Sequence, residues 1–244
     1  MQTDVTFRCD DGFDMPGVLT TDDGHEGPRP GLLMIYEALG MNHEMASVAR
    51  DLSSEGWTVL IPDLFSRGPK PICIARCIRT IMAGKGPQLA DLEAARRYLV
   101  SLPQVDDQRV GAIGFCMGGG FALLLAMTGK YQASAPFYGI APKQMPQSCP
   151  VVASYGGRDL VLAKDPERLR GNLVELGVPH DVKVYPDAGH SFYSKAPGKI
   201  MEMVGPYTPM RVGHHEPSAQ DAHRRVVEFF REHLDGAAGT APGD

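Results

Sequence analysis

Residues 110–127 read VGAIGFCMGGGFALLLAM, and this stretch decides the fold. Its first six residues form a short, continuous apolar run, which is typical of a strand buried on both faces of a parallel sheet. The run leads into Gly114-Phe115-Cys116-Met117-Gly118, and an apolar segment with helical character follows. Glycines two positions before and after the central residue relieve the crowding of a sharp strand-to-helix turn. The pattern Gly-x-Cys-x-Gly therefore predicts a strained turn that presents Cys116 as a nucleophile. The alternative is an inert buried cysteine in a glycine-rich turn.

Seven further segments predict strands by their apolar runs or alternation, at 3–8, 15–20, 31–36, 58–62, 133–138, 151–155 and 181–185. Amphipathic stretches at 43–56, at 88–102 and from about 217 to 234 predict helices between or after them. Strands that alternate with helices indicate βαβ units. We therefore expect an α/β fold with a mostly parallel central sheet of about eight strands and helices on both faces. One domain is expected over residues 1–235, with a disordered tail at 236–244.

The composition excludes several classes of protein. The chain has 244 residues, 43% of them apolar and 22% charged, which suits an ordinary globular protein. A net charge of −5 argues against a general nucleic-acid surface or a polybasic membrane anchor. Five cysteines without a CxxC pair argue against a disulfide framework, and neither a secretory leader nor a membrane-spanning run is visible. We expect a cytoplasmic protein, as a monomer or a small homo-oligomer.

Two strand ends downstream of Cys116 carry residues that a nucleophile needs. In α/β proteins with such a turn, the acid and then the histidine follow the nucleophile along the chain. The segment 151–155 leads to Asp159, and the segment 181–185 leads to His190. The carboxyl ends of parallel strands open on one crevice, so these side chains are expected to converge there. Asp187 is a rival acid, while a turn cap at Asp159 and an ordinary loop histidine at His190 are the structural alternatives.

The pair His214-His215 is similar to a fragment of a metal site. It lacks a cysteine or aspartate partner at ligand spacing, and the nucleophile chemistry needs no metal. We therefore expect neither a metal nor an organic cofactor.

Taken in order, the motifs GFCMGGG (114–120), GGRD (156–159) and AGHSFY (188–193) resemble those of the dienelactone hydrolase family of α/β-hydrolases. Three more segments carry this resemblance: YEALGMN at 36–42, PDLFSR at 62–67 and DLEAA at 91–95. It covers roughly residues 3–235, which is nearly the whole chain.

The resemblance implies a role for each candidate residue. Cys116 would be the nucleophile, His190 the general base and acid, and Asp159 the residue that orients the histidine. Glu37 would be the family's additional carboxylate, which contacts the thiol and takes its proton when substrate binds. The alternative for Glu37 is an ordinary loop carboxylate.

The resemblance also places an oxyanion hole at two backbone N–H groups, those of Ala38 and Met117. The residue pattern supports Met117 independently, because the residue after the nucleophile supplies one donor at such a turn.

The segments that would hold a substrate depart from the family. Members that open dienelactone bind its carboxylate with arginines, one of them four residues after the catalytic histidine, where this chain has Ser194 followed by Lys195. Candidates for a second arginine are Arg76 and Arg79, in a stretch between Asp63 and Asp91 with five basic and no acidic residues. Arg76, Arg79 and Lys195 are therefore candidate contacts for an anionic substrate. The alternative for the basic stretch is a solvated helix face.

The sequence thus predicts a hydrolase of small carboxylic esters or lactones, which forms a thioester acyl-enzyme on Cys116. Two rivals remain open at this point. One is a non-catalytic or redox-sensing thiol protein on the same fold. The other is a hydrolase that acts on a different bond, such as carbon–halogen.

Overall fold

The structure is a computed structural model, and it describes residues 1–22, 24, 27–195 and 203–235. Its eight strands form one sheet in the order β1-β2-β4-β3-β5-β6-β7-β8. They are β1 (Gln2–Arg8), β2 (Asp14–Thr20), β3 (Arg29–Ile35), β4 (Thr58–Pro62), β5 (Val105–Phe115), β6 (Ala133–Phe137), β7 (Val151–Gly156) and β8 (His180–Tyr185). The pairs β1/β2 and β2/β4 are antiparallel, and all other neighbours are parallel. Every strand that the sequence predicts is present.

Six helices that lie wholly within the described residues connect or follow the strands: α1 (His43–Ser54), α2 (Lys70–Ala83), α3 (Pro87–Val100), α4 (Met117–Ala126), α5 (Asp165–Leu176) and α6 (Glu216–Phe230). A short 3₁₀ turn (Gly205–Tyr207) precedes α6, and a π-helical turn (Arg231–Asp235) ends it. The Asn42 side chain accepts a hydrogen bond from the Met45 N–H at 2.9 Å and so caps α1. None of the helices in the described ranges is long and apolar enough to cross a bilayer.

The core covers both faces of the sheet. Every residue of β4, β6 and β7 is buried, which requires packing from both sides. On one side, the lone tryptophan of the chain, Trp57, packs edge-on against Phe230 of α6, with ring centroids 5.6 Å apart. Its indole N–H also donates to the Asp235 carboxylate at 3.3 Å. Trp57 therefore holds the last described residues of the chain, up to Asp235, against the core.

The parallel strands bring five residues to one edge of the sheet. Glu37 follows β3, Cys116 follows β5, Tyr138 follows β6, Asp159 follows β7 and His190 follows β8. This edge is where open α/β sheets form their crevice. A single domain over 1–235 stays a prediction, and the tail at 236–244 lies outside the described residues.

Candidate active site

Cys116 occupies a strained turn between β5 and α4. Its backbone has φ 55° and ψ −114°, a conformation that residues with a Cβ rarely adopt. The turn closes because two flanking residues lack side chains. A Cβ on Gly114 would lie 2.0 Å from the Gly118 carbonyl oxygen, and a Cβ on Gly118 would lie 2.1 Å from the Ile35 carbonyl oxygen. As the sequence predicts, the two glycines of the motif are needed because a side chain at either position would clash with the backbone.

Asp159 and His190 meet in the buried part of the crevice. Nδ1 of His190 lies 2.7 Å from Oδ2 of Asp159. A carboxylate can only accept, so Nδ1 carries the proton and Nε2 is left to act as a base. The other Asp159 oxygen accepts from the N–H groups of Val161 at 3.0 Å and Leu162 at 3.3 Å. These bonds hold the carboxylate in place, and the carboxylate in turn holds the imidazole.

The environment of His190 favours its charged form. Burial to 3% exposure opposes protonation, but the Asp159 hydrogen bond and the neighbouring Cys116 outweigh it and raise the pKa of His190 to about 9. Within the part of the chain that the structure describes, Nε2 has no hydrogen bond of normal geometry, but Cys116 is close enough to act on the imidazole as a hydrogen-bond partner and through its charge. Because the charged imidazolium is favoured beside Cys116, His190 is suited to take the thiol proton.

Asp187, the rival acid, is exposed and paired with an arginine. Its side chain is 69% exposed and forms an ion pair with Arg158 at 3.1 Å. Asp159 rather than Asp187 therefore contacts His190 in this structure.

Glu37 is buried next to the loop that carries His190. Its side chain is 5% exposed, and Oε2 accepts from the hydroxyls of Ser191 at 3.3 Å and Ser194 at 3.5 Å. Burial raises the pKa of Glu37, although the two hydroxyls and His190 oppose this shift. Ser194, which stands where the resemblance leads one to expect an arginine, is thus a partner of Glu37. The contact between Glu37 and the thiol stays a prediction.

The two backbone donors expected for an oxyanion hole lie at the same edge. Met117 opens α4, so its N–H belongs to the first helical turn, which has no intrahelical acceptor. Ala38 follows Glu37 after β3, and no carbonyl in the described ranges accepts its N–H. The close packing of Gly118 on Ile35 brings these two chain segments together.

The three candidate substrate-binding cations lie in different surroundings. Arg76 and Arg79 are exposed on α2. The Lys195 ammonium is 3.7 Å from the Glu216 carboxylate, and the Lys195 backbone N–H donates to Glu44. Contact of these residues with a substrate stays a prediction.

His214, in the pair that is similar to a metal fragment, also has a protein partner. Its Nε2 lies 2.7 Å from a Glu216 carboxylate oxygen. Across residues 1–22, 24, 27–195 and 203–235, no three metal-ligating side chains come together.

Tyr138 is a crevice residue that the sequence reasoning does not single out. It follows β6 directly, and among the described residues it is one of four non-glycines with positive φ, with Cys116, Ser191 and Arg211. Cys116 is the presented thiol, Ser191 adjoins His190, and the Arg211 backbone packs on Gly189 before His190. The signal that could have found Tyr138 is its place after a buried parallel strand, where crevice residues collect.

Comparisons with known proteins find relatives of this chain by sequence and by structure. The model of the dienelactone hydrolase family matches residues 15–234. A Salmonella typhimurium protein, named provisionally as a carboxymethylenebutenolidase, is 28% identical over 250 residues, which cover 94% of this chain and 87% of that protein. The carboxymethylenebutenolidase of Rhodococcus opacus is 26% identical over 226 residues, covering 85% and 83%.

A solved structure of similar shape is a dienelactone hydrolase-like promiscuous phosphotriesterase from metagenomic libraries. It has a TM-score of 0.81 and 24% identity, and the match covers 96% of this chain and 98% of that one. The predicted α/β-hydrolase fold is thereby confirmed. Because the family model spans nearly the whole chain, and curated relatives match over most of their own length, the chain belongs to the dienelactone hydrolase family and is a hydrolase.

Proposed function

We propose that the protein hydrolyses small carboxylic esters or lactones with a Cys116–His190–Asp159 triad, through a thioester acyl-enzyme. One observation supports this proposal: His190 is hydrogen-bonded to Asp159 at 2.7 Å through Nδ1, and the cysteine of the strained turn is a neighbour of the same imidazole. Nucleophile, base and orienting group are the three parts that such catalysis needs.

In the first half of the reaction, the Cys116 sulfur attacks the ester carbonyl carbon. The thiol proton passes to Nε2 of His190, either directly or, in the presence of substrate, by way of Glu37. The carbonyl oxygen becomes an oxyanion, for which the N–H groups of Ala38 and Met117 are the proposed donors. The C–O bond then breaks, the alcohol leaves with a proton from His190, and an acyl thioester remains on Cys116.

In the second half, a water molecule gives a proton to His190 and attacks the thioester carbonyl. The C–S bond breaks, the acid is released, and the sulfur recovers its proton. Asp159 stays ionised throughout and stabilises the imidazolium that forms in each half. The raised pKa of His190 supports such an imidazolium.

The first test is Cys116→Ala, because alanine keeps the backbone and removes only the sulfur. We expect ester hydrolysis to fall by several orders of magnitude while the fold is retained. The wild type, mixed with an excess of a 4-nitrophenyl ester and quenched, should carry one acyl group on Cys116 by mass spectrometry. Cys149→Ala is the matched control, since burial raises the pKa of the Cys149 thiol to about 12 and keeps it unreactive.

If Cys116→Ala retained more than about a tenth of the wild-type kcat/KM, Cys116 would not be the nucleophile. A tenfold loss corresponds to a rise of only about 1.4 kcal/mol in the activation barrier. The alternative, in which Cys116 is a redox-sensing thiol, predicts a different result. Iodoacetamide would then alkylate Cys116 in a protein that hydrolyses none of a panel of aryl esters.

A further inference from the structure

Tyr138 is held in an unfavourable backbone conformation at the candidate active site. A bulky aromatic residue at φ 40° is an outlier, and such strain is retained mainly where function over-determines it. The Tyr138 N–H donates to the Ser154 carbonyl of β7 at 2.7 Å, and the Cys116 N–H donates to the carbonyl of the preceding Phe137 at 3.0 Å. Tyr138 is therefore fixed between the turn of the nucleophile and the strand that leads to Asp159.

The Tyr138 ring packs directly on the base. Its centroid lies 4.9 Å from that of the His190 imidazole, with the planes tilted by 52°, and 5.5 Å from the Phe192 ring. The side chain is 1% exposed. These contacts restrict the Tyr138 ring to one orientation, so the fold determines the position of its hydroxyl.

The Tyr138 hydroxyl is buried and forms no hydrogen bond of normal geometry among the residues that the structure describes. A buried donor without an acceptor is unfavourable, so most such groups in proteins are paired. The Ser194 hydroxyl is close enough to act on Tyr138 as a weak hydrogen-bond partner, and it also donates to Glu37 at 3.5 Å. Within the described ranges, Tyr138 thus lacks a well-formed acceptor.

The electrostatic neighbours of this hydroxyl include two of the proposed reacting groups, Glu37 and Cys116. Burial, together with the charges of Glu37 and Cys116, raises the pKa of Tyr138 well above its usual value, although the hydrogen bond with Ser194 opposes this shift. The phenol therefore keeps its proton throughout the ordinary pH range and is always able to donate. An oxygen of a bound ligand would give this donor a better acceptor than the Ser194 hydroxyl.

We propose that Tyr138 is a further catalytic residue, whose hydroxyl donates a hydrogen bond to the alkoxy oxygen of the bound ester. This inference rests on the proposed function. An ester has two oxygens, and the proposed place of the carbonyl oxygen is at the N–H groups of Ala38 and Met117. The alkoxy oxygen departs on the side of His190, against which the Tyr138 ring packs.

The proposed contact acts when the tetrahedral intermediate collapses. The C–O bond breaks, its electron pair moves to the alkoxy oxygen, and the proton for that oxygen comes from Nε2 of His190. Tyr138 transfers no proton, but its hydrogen bond stabilises the negative charge that develops before the proton arrives. A poorer leaving group carries more localised negative charge on the alkoxy oxygen, so its departure depends more on this hydrogen bond.

The test compares Tyr138→Phe with the wild type on aryl esters of one acid: 4-nitrophenyl, phenyl and 4-methoxyphenyl. kcat/KM reports the acylation step, in which the aryl oxide leaves. We expect a loss of less than about threefold on the 4-nitrophenyl ester and about tenfold or more on the 4-methoxyphenyl ester, the size expected for one hydrogen bond to a developing charge. The melting temperature should stay the same or rise, because the unpaired hydroxyl is gone.

Tyr131→Phe is the matched control. The Tyr131 hydroxyl is also buried and also forms no hydrogen bond of normal geometry within the described ranges, but its electrostatic neighbours are Glu93, Arg96 and Cys149 rather than the crevice residues. This variant should retain the wild-type kcat/KM on all three esters.

Equal losses of Tyr138→Phe on all three esters would overturn the inference, since Tyr138 would then only shape the site. No loss on any ester would overturn it too. A wild type that is alkylated by iodoacetamide but hydrolyses none of the esters would instead overturn the proposed function, and the role of Tyr138 with it.

Discussion

His190 couples the electrostatics of the site to the stability of the whole protein. The folded state holds the pKa of His190 at about 9, whereas the ordinary value is 6.5. A group whose pKa is raised by folding stabilises the folded state fully below its unfolded pKa, and this contribution is lost as the pH rises through the folded pKa. The stabilisation by His190 should therefore disappear between about pH 6.5 and 9.

We expect the wild type to melt higher than His190→Gln at pH 6.5 and to lose much of this advantage by pH 9. Differential scanning calorimetry across this range measures it. His180→Gln is the control, because His180 contacts the Val178 carbonyl at 2.8 Å and not a carboxylate. A difference between wild type and His190→Gln that is constant with pH would contradict the coupling of His190 to Asp159.

For single residues, the sequence predicts a contact only when both residues follow predicted strands that end at the same edge of the sheet. Asp159 and His190 follow parallel strands, so their approach was predictable, and the structure joins them at 2.7 Å. The hydroxyl partners of Glu37 were not predictable in the same way. Ser191 lies 154 residues from Glu37 along the chain, and a serine in a loop has no pattern that indicates its partner.

Among the elements, the turn into α4 has little tolerance for an added side chain. A methyl group at Gly118 would lie 2.1 Å from the Ile35 carbonyl oxygen and 2.9 Å from that of Tyr36, both of them backbone atoms. Gly118→Ala should therefore lower the free energy of unfolding by at least about 2 kcal/mol. It should also reduce ester hydrolysis, because Cys116 is displaced with the turn. Urea unfolding and an aryl-ester assay measure the two effects.

Gly171→Ala is the control for this prediction. Gly171 lies in α5, and a methyl group there would meet nothing within 4 Å. Alanine should stabilise this helix by up to about 1 kcal/mol and leave hydrolysis unchanged. If Gly118→Ala were as stable and as active as Gly171→Ala, steric crowding would not be the reason for glycine in the turn.

Strands were easier to predict than helices in this chain. Buried parallel strands are continuous apolar runs, so each appears in the sequence, although β5 begins at Val105 rather than at 110. Its early residues are polar and pair with β3 across an irregularity at Pro30/Gly31. Helix α5 is not among the predicted helices, because Leu169 and Leu173 are its only buried apolar residues apart from Pro166. Two leucines do not make a recognisable helical period.

For the molecule as a whole, the contact between Trp57 and Phe230 is a built-in probe. Both side chains are fully buried, and Trp57 is the single tryptophan of the sequence. Phe230→Ala should cost about 3–5 kcal/mol through lost contacts and a cavity. It should also shift the emission of Trp57 in the folded protein, since the neighbour of the indole is lost. Equilibrium unfolding in urea, followed by fluorescence, measures both effects.

Phe229→Ala is the matched control on the same helix. Phe229 is only partly buried and packs on His233, with centroids 4.3 Å apart. Its loss should cost clearly less than that of Phe230 and leave the emission maximum unchanged. Equal costs for the two variants would mean that α6 is not anchored through Trp57.

The convergence of strand ends at one edge of the sheet has a kinetic consequence. Glu37 comes early in the chain and His190 late, with Cys116 and Asp159 between them, so the site requires contacts of very long sequence separation. Contacts of this kind form slowly, after many loops have closed. A folding intermediate that still lacks β8 can contain the strained turn and the thiol, yet it has no base beside them. During refolding, the recovery of esterase activity should therefore lag behind the hydrogen-exchange protection of β3 and β5, and the delay would time the docking of the last strand.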